Sequence, residues 1–162
     1  GSGCPLKQAI HSLQQLWYNK SPPSCTGSPC TSGELVKAVF LMIDKLHIEP
    51  AFTDRRGDIT NVLAVPVQHV ALITSKQGAV RGNHVHTTDT HFTYLLSGRC
   101  HYTQLVDGER ESCDMEPGDL ILTPAGVPHT MVFSEESVFL ALCTAPRMGG
   151  RYEQDTRSWL LV

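Results

Sequence analysis

From Ile48 onward the chain is cut into short apolar runs by turn residues at close intervals, and this rhythm restricts the fold more than any other feature. Strand-length runs fall near 48–53, 58–64, 67–75, 80–86, 91–97, 100–106, 110–115, 119–123, 128–133 and 137–144. Turns are expected at Arg56-Gly57, Gln77-Gly78, Ser97-Gly98, Asp107-Gly108, Pro117-Gly118 and Ala125-Gly126. Many short strands so spaced predict an antiparallel sandwich or small barrel. Upstream the period changes. Leu6, Ala9, Ile10, Leu13, Leu16 and Trp17 form the stripe of an amphipathic helix over 5–18, with Pro5 in its first turn and Pro22-Pro23 beyond its end. Residues 19–32 read as a loop. Thr31 and Glu34 then have capping-box spacing before a second stripe at Leu35, Val36, Val39, Phe40, Ile43 and Leu46. The expected organisation is a helical extension over 4–47 and an all-β barrel over 48–162, with Gly1-Ser2-Gly3 set aside as an expression scar. The tail after Pro146 either closes the barrel base through Trp159, Leu160 and Leu161 or clips a neighbour.

Four histidines fall on these strands at telling positions. Alternate strand residues face one side, so His84 and His86 point together into the interior. Thr87 to Thr90 form a polar turn, and His91 opens the returning strand on the neighbouring ladder. His129 follows the stiff Pro124-Ala-Gly-Val-Pro128 turn and approaches from another strand. Neutral imidazole is the commonest protein ligand for first-row transition metals, and four nitrogens at about 2.0–2.2 Å satisfy a divalent ion. A single histidine is more often a surface or hydrogen-bonding group, as His11, His47, His69 and His101 are read here. His91 alone of the four could support the ligands rather than join them.

The two segments that carry these histidines resemble the paired motifs of the cupin superfamily. Gly78, His84, His86 and Gly98 fall in register with the first motif, with His91 at its usually acidic position. Gly118, Pro124, Gly126 and His129 match the second, where Phe133 replaces a frequent asparagine. The resemblance spans roughly 60–145 and implies a cupin-type antiparallel jelly roll after the two helices, a mononuclear metal site on His84, His86, His91 and His129, and a homodimer. A fainter resemblance, carried by FTDRRGDITNVL (Phe52 to Leu63) and Arg81-Gly82-Asn83-His84, is to cupins that epimerise or isomerise nucleotide-linked keto sugars.

With a histidine in place of the carboxylate, four neutral imidazoles leave about +2 at a divalent ion instead of about +1. Such a site favours an anionic or enolisable substrate and a reduced ion. Fe(II) or Mn(II) is favoured; Cu, Ni and Zn stay open. Thr93 and Leu95 share the strand phase of His91, as Met131 and Phe133 share that of His129, so Thr93, Met131 and Phe133 are candidate substrate contacts. Arg81 and Asn83 have the opposite phase to His84 and reach the site only if a bulge intervenes. Asp54, Arg55 and Arg56 read most simply as a solvated turn, and in the sugar-cupin reading as a phosphate contact.

Composition limits the partners. The chain has 162 residues, enough for one domain with a real core, and a net charge of −3 gives no basic footprint for nucleic acid. No apolar run reaches membrane-span length and no signal-peptide pattern opens the chain, so a cytoplasmic protein is expected. Its six cysteines are read as reduced thiols, with a Cys25–Cys30 disulfide as the minority reading. Three function classes follow. The histidine set ranks an oxygenase first, because similar cupin dioxygenases bind substrate and O2 at one such ion. A sugar-nucleotide isomerase or epimerase comes second, with His84 and His86 as proton-transfer bases. A redox-neutral metal-dependent lyase or cyclase lies between them. A non-catalytic small-ligand-binding module ranks third.

Overall fold

The computed structural model describes residues 43–149 and 154–162. Both expected N-terminal helices, apart from the end of the second stripe, lie outside the described residues, as do Cys4, Cys25 and Cys30. Twelve strands are present among the described residues: β1 (Lys45–His47), β2 (Phe52–Asp54), β3 (Gly57–Ile59), β4 (His69–Ser75), β5 (Val80–His86), β6 (His91–Ser97), β7 (Cys100–Val106), β8 (Glu109–Met115), β9 (Asp119–Thr123), β10 (His129–Phe133), β11 (Ser137–Cys143) and β12 (Thr156–Ser158). From β4 to β11 they follow the apolar runs within a residue or two.

One sheet has the order β1-β9-β6-β11-β4 and the other β12-β5-β10-β7-β8; β2 and β3 form a separate hairpin. Every pairing is antiparallel. The chain passes from one sheet to the other at nearly every turn between β4 and β11, which is the winding of a jelly roll. Between the sheets lie Leu95, Cys100, Tyr102, Met115, Ile121, Met131, Phe133 and Phe139, contributed by both layers. Strand alternation puts this set on one phase of each strand.

The opposite phase of β6, β9 and β11 is also apolar. Phe92, Tyr94, Leu120, Leu122 and Leu142 form a second cluster on the outer face of the first sheet, and Val62, Leu63, Val65 and Val67 cover it. This explains two departures from the sequence reading. The run expected as a strand near 58–64 belongs to a sheet only up to Ile59; beyond it the chain is an irregular strap whose apolar side chains are spent on covering that face. Residues 45–47, expected to be helical, form β1, because Lys45, Leu46 and His47 complete the open ladder edge of β9 opposite Ile121, Leu120 and Asp119. Buried Asp119 fixes this edge by accepting from Lys45 Nζ at 3.1 Å and pairing with His47 Nδ1 at 2.9 Å.

The β6–β7 turn shows how tightly the layers close. Gly98 has φ +84°, and a Cβ there would run into the side chain of Ser137 and the carbonyl of Glu136. Gly108 has a similar φ of +85° with open space around it. Gly98→Ala should therefore cost about 2–3 kcal/mol by urea unfolding, and Gly108→Ala only about 1 kcal/mol. Equal losses would show that backbone conformation alone, and not the contact with β11, sets the requirement for glycine.

Candidate functional site

A cavity of about 510 Å³ opens between the two sheets, lined by His84, His86, His91 and His129 together with Arg81, Thr93, Met131 and Arg147. His84 and His86 project from β5, and His129 from the adjacent β10, directly opposite His84 in register. One ring nitrogen from each of these three lies within 4.8 Å of the other two. His91 comes from the facing sheet, where it pairs with Thr123 and Cys143, and not from the neighbouring ladder as expected. Thr87 to Thr90 span the gap between sheets, not a hairpin. The His91 ring centroid is 5.1 Å from that of His86 and 4.9 Å from that of His129, so it stands against the three without joining their closest grouping. Its buried Nδ1 has no hydrogen-bond partner among the described residues.

Each imidazole has its own support. His129 Nδ1–H donates to the Val127 carbonyl at 3.2 Å, which leaves Nε2 with the lone pair, and Tyr102 stacks on the ring at 6.3 Å. His86 is held from both ends. Arg147 Nη2 donates to its Nε2 at 3.2 Å, so the proton sits on Nδ1, facing Thr156 Oγ1 at 3.3 Å and Asp155 Oδ2 at 3.4 Å. Burial opposes ionisation of Asp155, but hydrogen bonds from Thr88 and Thr87 outweigh it and hold the carboxyl at about 2. Burial pushes His86 below the ordinary imidazole value, aided by Arg147 and opposed by Asp89 and Asp155. Burial and neighbouring His86 bring His84 to about 4, and burial with His84 brings His129 to about 3. His91 is held well below its ordinary value by burial. All four are neutral at pH 7.

Neutral imidazoles are the form that binds a metal, and the ring of His91, whose buried Nδ1 has no partner among the described residues, stands against the group. The residues therefore fit a divalent ion in kind. His84, His86 and His129 would hold it.

Arg81 reaches the cavity because the strand phase breaks ahead of His84. Gly82 (φ +84°) and Asn83 (φ +54°) leave extended geometry, and the pairing with β10 slips between His129 and Thr130. A Cβ on Gly82 would lie 2.7 Å from the His129 carbonyl oxygen. This bulge returns Arg81 to the cavity wall, where its Nε donates to Ser75 Oγ and its Nη2 to the Thr74 carbonyl. It also turns the Asn83 side chain toward the tail: Oδ1 accepts from Leu161 N and Val162 N, and Nδ2 donates to the Val162 carbonyl. The tail thus closes along β5, with Leu161 buried and Trp159 half exposed.

Of the candidate substrate contacts, Thr93 and Met131 line the cavity, whereas Phe133 lies in the core stacked on Phe139 at 5.6 Å. Asp54, Arg55 and Arg56 form the β2–β3 hairpin turn, with Arg56 pairing Asp54 at the surface. Three residues of the site escaped the sequence reading: Asp89, Arg147 and Asp155. Asp89 had one signal, being the only charge in the His86–His91 connection; the other two lie in the segment after β11, which carries no strand rhythm.

Residues 71–144 match the cupin domain family. This stretch is a cupin domain. No curated protein matches the chain. Among solved structures the cupin fold here is similar to a sugar 3,4-ketoisomerase from Thermoanaerobacterium thermosaccharolyticum in complex with TDP (18% identity, TM-score 0.61, 73% of this chain and 88% of that one). It is similar also to an rmlC epimerase from Mycobacterium tuberculosis (17%, 0.59, 70% and 66%). A third is a 3'-monoepimerase from Streptomyces bikiniensis in complex with dTDP-quinovose (15%, 0.60, 70% and 67%). At these identities the likeness shows the fold. Among the described residues no helix is long and apolar enough to cross a membrane. Cys100, Cys113 and Cys143 are free thiols.

The depressed imidazoles have a consequence for stability. The unfolded chain binds protons at histidine near pH 6.5, whereas native His129, 2% exposed, resists protonation down to about 3. Acidification below 6.5 therefore favours unfolding, by about 2 kcal/mol at pH 5 for this one group. In metal-free protein the urea midpoint should fall between pH 7 and pH 5, and His129→Gln should flatten that fall. An unchanged slope in the variant would assign the effect to other groups.

Proposed function

We propose that this cupin domain is a sugar-nucleotide isomerase or epimerase in which His86 moves a proton at carbon next to a carbonyl. The observation that carries this reading is the polarisation of one imidazole: His86 Nδ1–H is backed by Asp155 and Thr156 while Nε2 presents its lone pair at the cavity beside Arg147. A general base needs both features, a lone pair facing the substrate and a second proton held by an acceptor that stabilises the imidazolium, and here the hydrogen bond from Arg147 Nη2 to Nε2 has to open as substrate enters. Once Arg147 Nη2 turns from Nε2 to the substrate carbonyl oxygen, His86 Nε2 takes the proton from carbon, the C–H electron pair moves into the carbonyl, and the guanidinium faces the oxygen that becomes negative. Return of the proton to the neighbouring carbon, with the hydroxyl proton passing to the former carbonyl oxygen, isomerises the keto sugar. Return to the same carbon from the opposite face epimerises it. Arg81 adds a second cation to the wall, which suits a substrate carrying a diphosphate. The neighbours named above are epimerases and an isomerase, so this reading is placed ahead of the oxygenase that the sequence ranks first.

A metal-dependent reaction is the second reading, favoured by the grouping of His84, His86 and His129. An ion held there would supply Lewis acidity toward a carbonyl or enolate. An Fe(II) or Mn(II) oxygenase and a redox-neutral lyase or cyclase both fall under it.

Solvent exchange tests the choice. Chelator-treated protein incubated with TDP-4-keto-6-deoxyglucose, which a structural neighbour binds, should exchange sugar carbon-bound protons for deuterium in D2O, read by NMR. His86→Gln should slow this roughly 10²- to 10⁴-fold. The rate should hold as pH falls through 6.5, because the base with the lowered pKa stays unprotonated there. Activity that vanishes on chelation and returns with an ion, or that consumes O2, would move the assignment to the metal-dependent class.

A further inference from the structure

Arg147 is anchored before it reaches the imidazoles. Its Nε and Nη2 both donate to Asp89 Oδ2, at 3.2 and 2.6 Å, and the side chain of Asp89 is 1% exposed. The other carboxylate oxygen accepts from Ala145 N at 2.9 Å and from Thr144 Oγ1 at 3.3 Å. The guanidinium is therefore fastened to a buried anion with its partners in place, on the loop that leaves β11. From that anchor Nη2 also donates to His86 Nε2.

A guanidinium keeps its protons throughout the working pH range, so a hydrogen always points at that lone pair. The other nitrogen of His86 is committed to Thr156 and Asp155. Only Nε2 is left for an incoming ion, and one lone pair cannot serve both partners. We propose that Arg147 is a built-in competitor of metal binding: guanidinium and divalent cation are alternative occupants of His86 Nε2, and the histidine group accepts an ion only after Arg147 swings away. Two costs then oppose the ion, the broken Asp89–Arg147–His86 chain and the repulsion between like charges at close range. A surface arginine would move aside freely; this one leaves a buried carboxylate behind when it does.

This inference does not rest on proton transfer at His86, and its test reads no turnover. The full chain, stripped of metal, is titrated with Zn(II) against a chromophoric chelator. Arg147→Gln should bind Zn(II) at least tenfold more tightly than the wild type. Adding His129→Gln to that variant should abolish the gain, which places the ion at the histidine group. Because Arg147→Gln leaves Asp89 buried without its cation, the paired variant Asp89→Asn/Arg147→Gln is measured alongside. It has the wild-type net charge, so tighter binding there reports the freed lone pair and not a change of field. The proposal requires a gain in the paired variant, whether or not Arg147→Gln alone folds. Wild-type affinity in the paired variant, or a gain that survives His129→Gln, overturns it.

Discussion

The close approach of the Gly82 backbone to that of His129 organises the whole of this site. Two adjacent strands can come so near only where one lacks a side chain, and the slip in pairing that results has three effects. Arg81 turns inward. His84 stays opposite His129, so that two imidazoles from neighbouring strands meet. Asn83 turns toward the C-terminal segment and secures its backbone, which lays β12 along β5 and brings Asp155 to His86. The bulge thus stands between an ordinary ladder and a chemically equipped cavity.

Around His86 opposing influences meet, and burial prevails. Two carboxylates, Asp89 and Asp155, favour its protonated form, while burial and the Arg147 guanidinium oppose it. The carboxylates set His86 apart from His129, which has no facing carboxylate among the described residues and is controlled by burial. Four histidines of one type thereby acquire different surroundings: His86 stands among two carboxylates and a guanidinium, while the others are kept neutral chiefly by burial. The separation comes from which sheet, turn or tail each ring faces.

Much of this was readable from the residues. Apolar runs punctuated by glycine located the strands from β4 to β11, because turn chemistry and side-chain alternation are local properties. The same logic placed His84, His86 and His129 on inward phases. It failed where position depends on partners far along the chain. Whether residues 60–67 pair or drape is decided by the greasy outer face of β6 and β11, and whether Lys45 to His47 coil or extend is decided by the free edge of β9. His91 was put on the wrong sheet because four polar residues after His86 look the same whether they turn a hairpin or cross between layers. Arg147 and Asp155 have no periodic pattern to announce them.

Strand β6 has two faces that answer to different neighbours. His91, Thr93 and Leu95 look toward the cavity and the core, whereas Phe92 and Tyr94 lie under the strap. That strap belongs to neither sheet, and burial of a few valines and a leucine holds it down. Heat or mild denaturant would peel it first, because dispersed apolar contacts yield before a continuous ladder does. The peeled form would expose an aromatic, aggregation-prone flank while the imidazoles on the reverse side kept their arrangement. Loss of solubility and loss of the site are consequently separable events in this molecule.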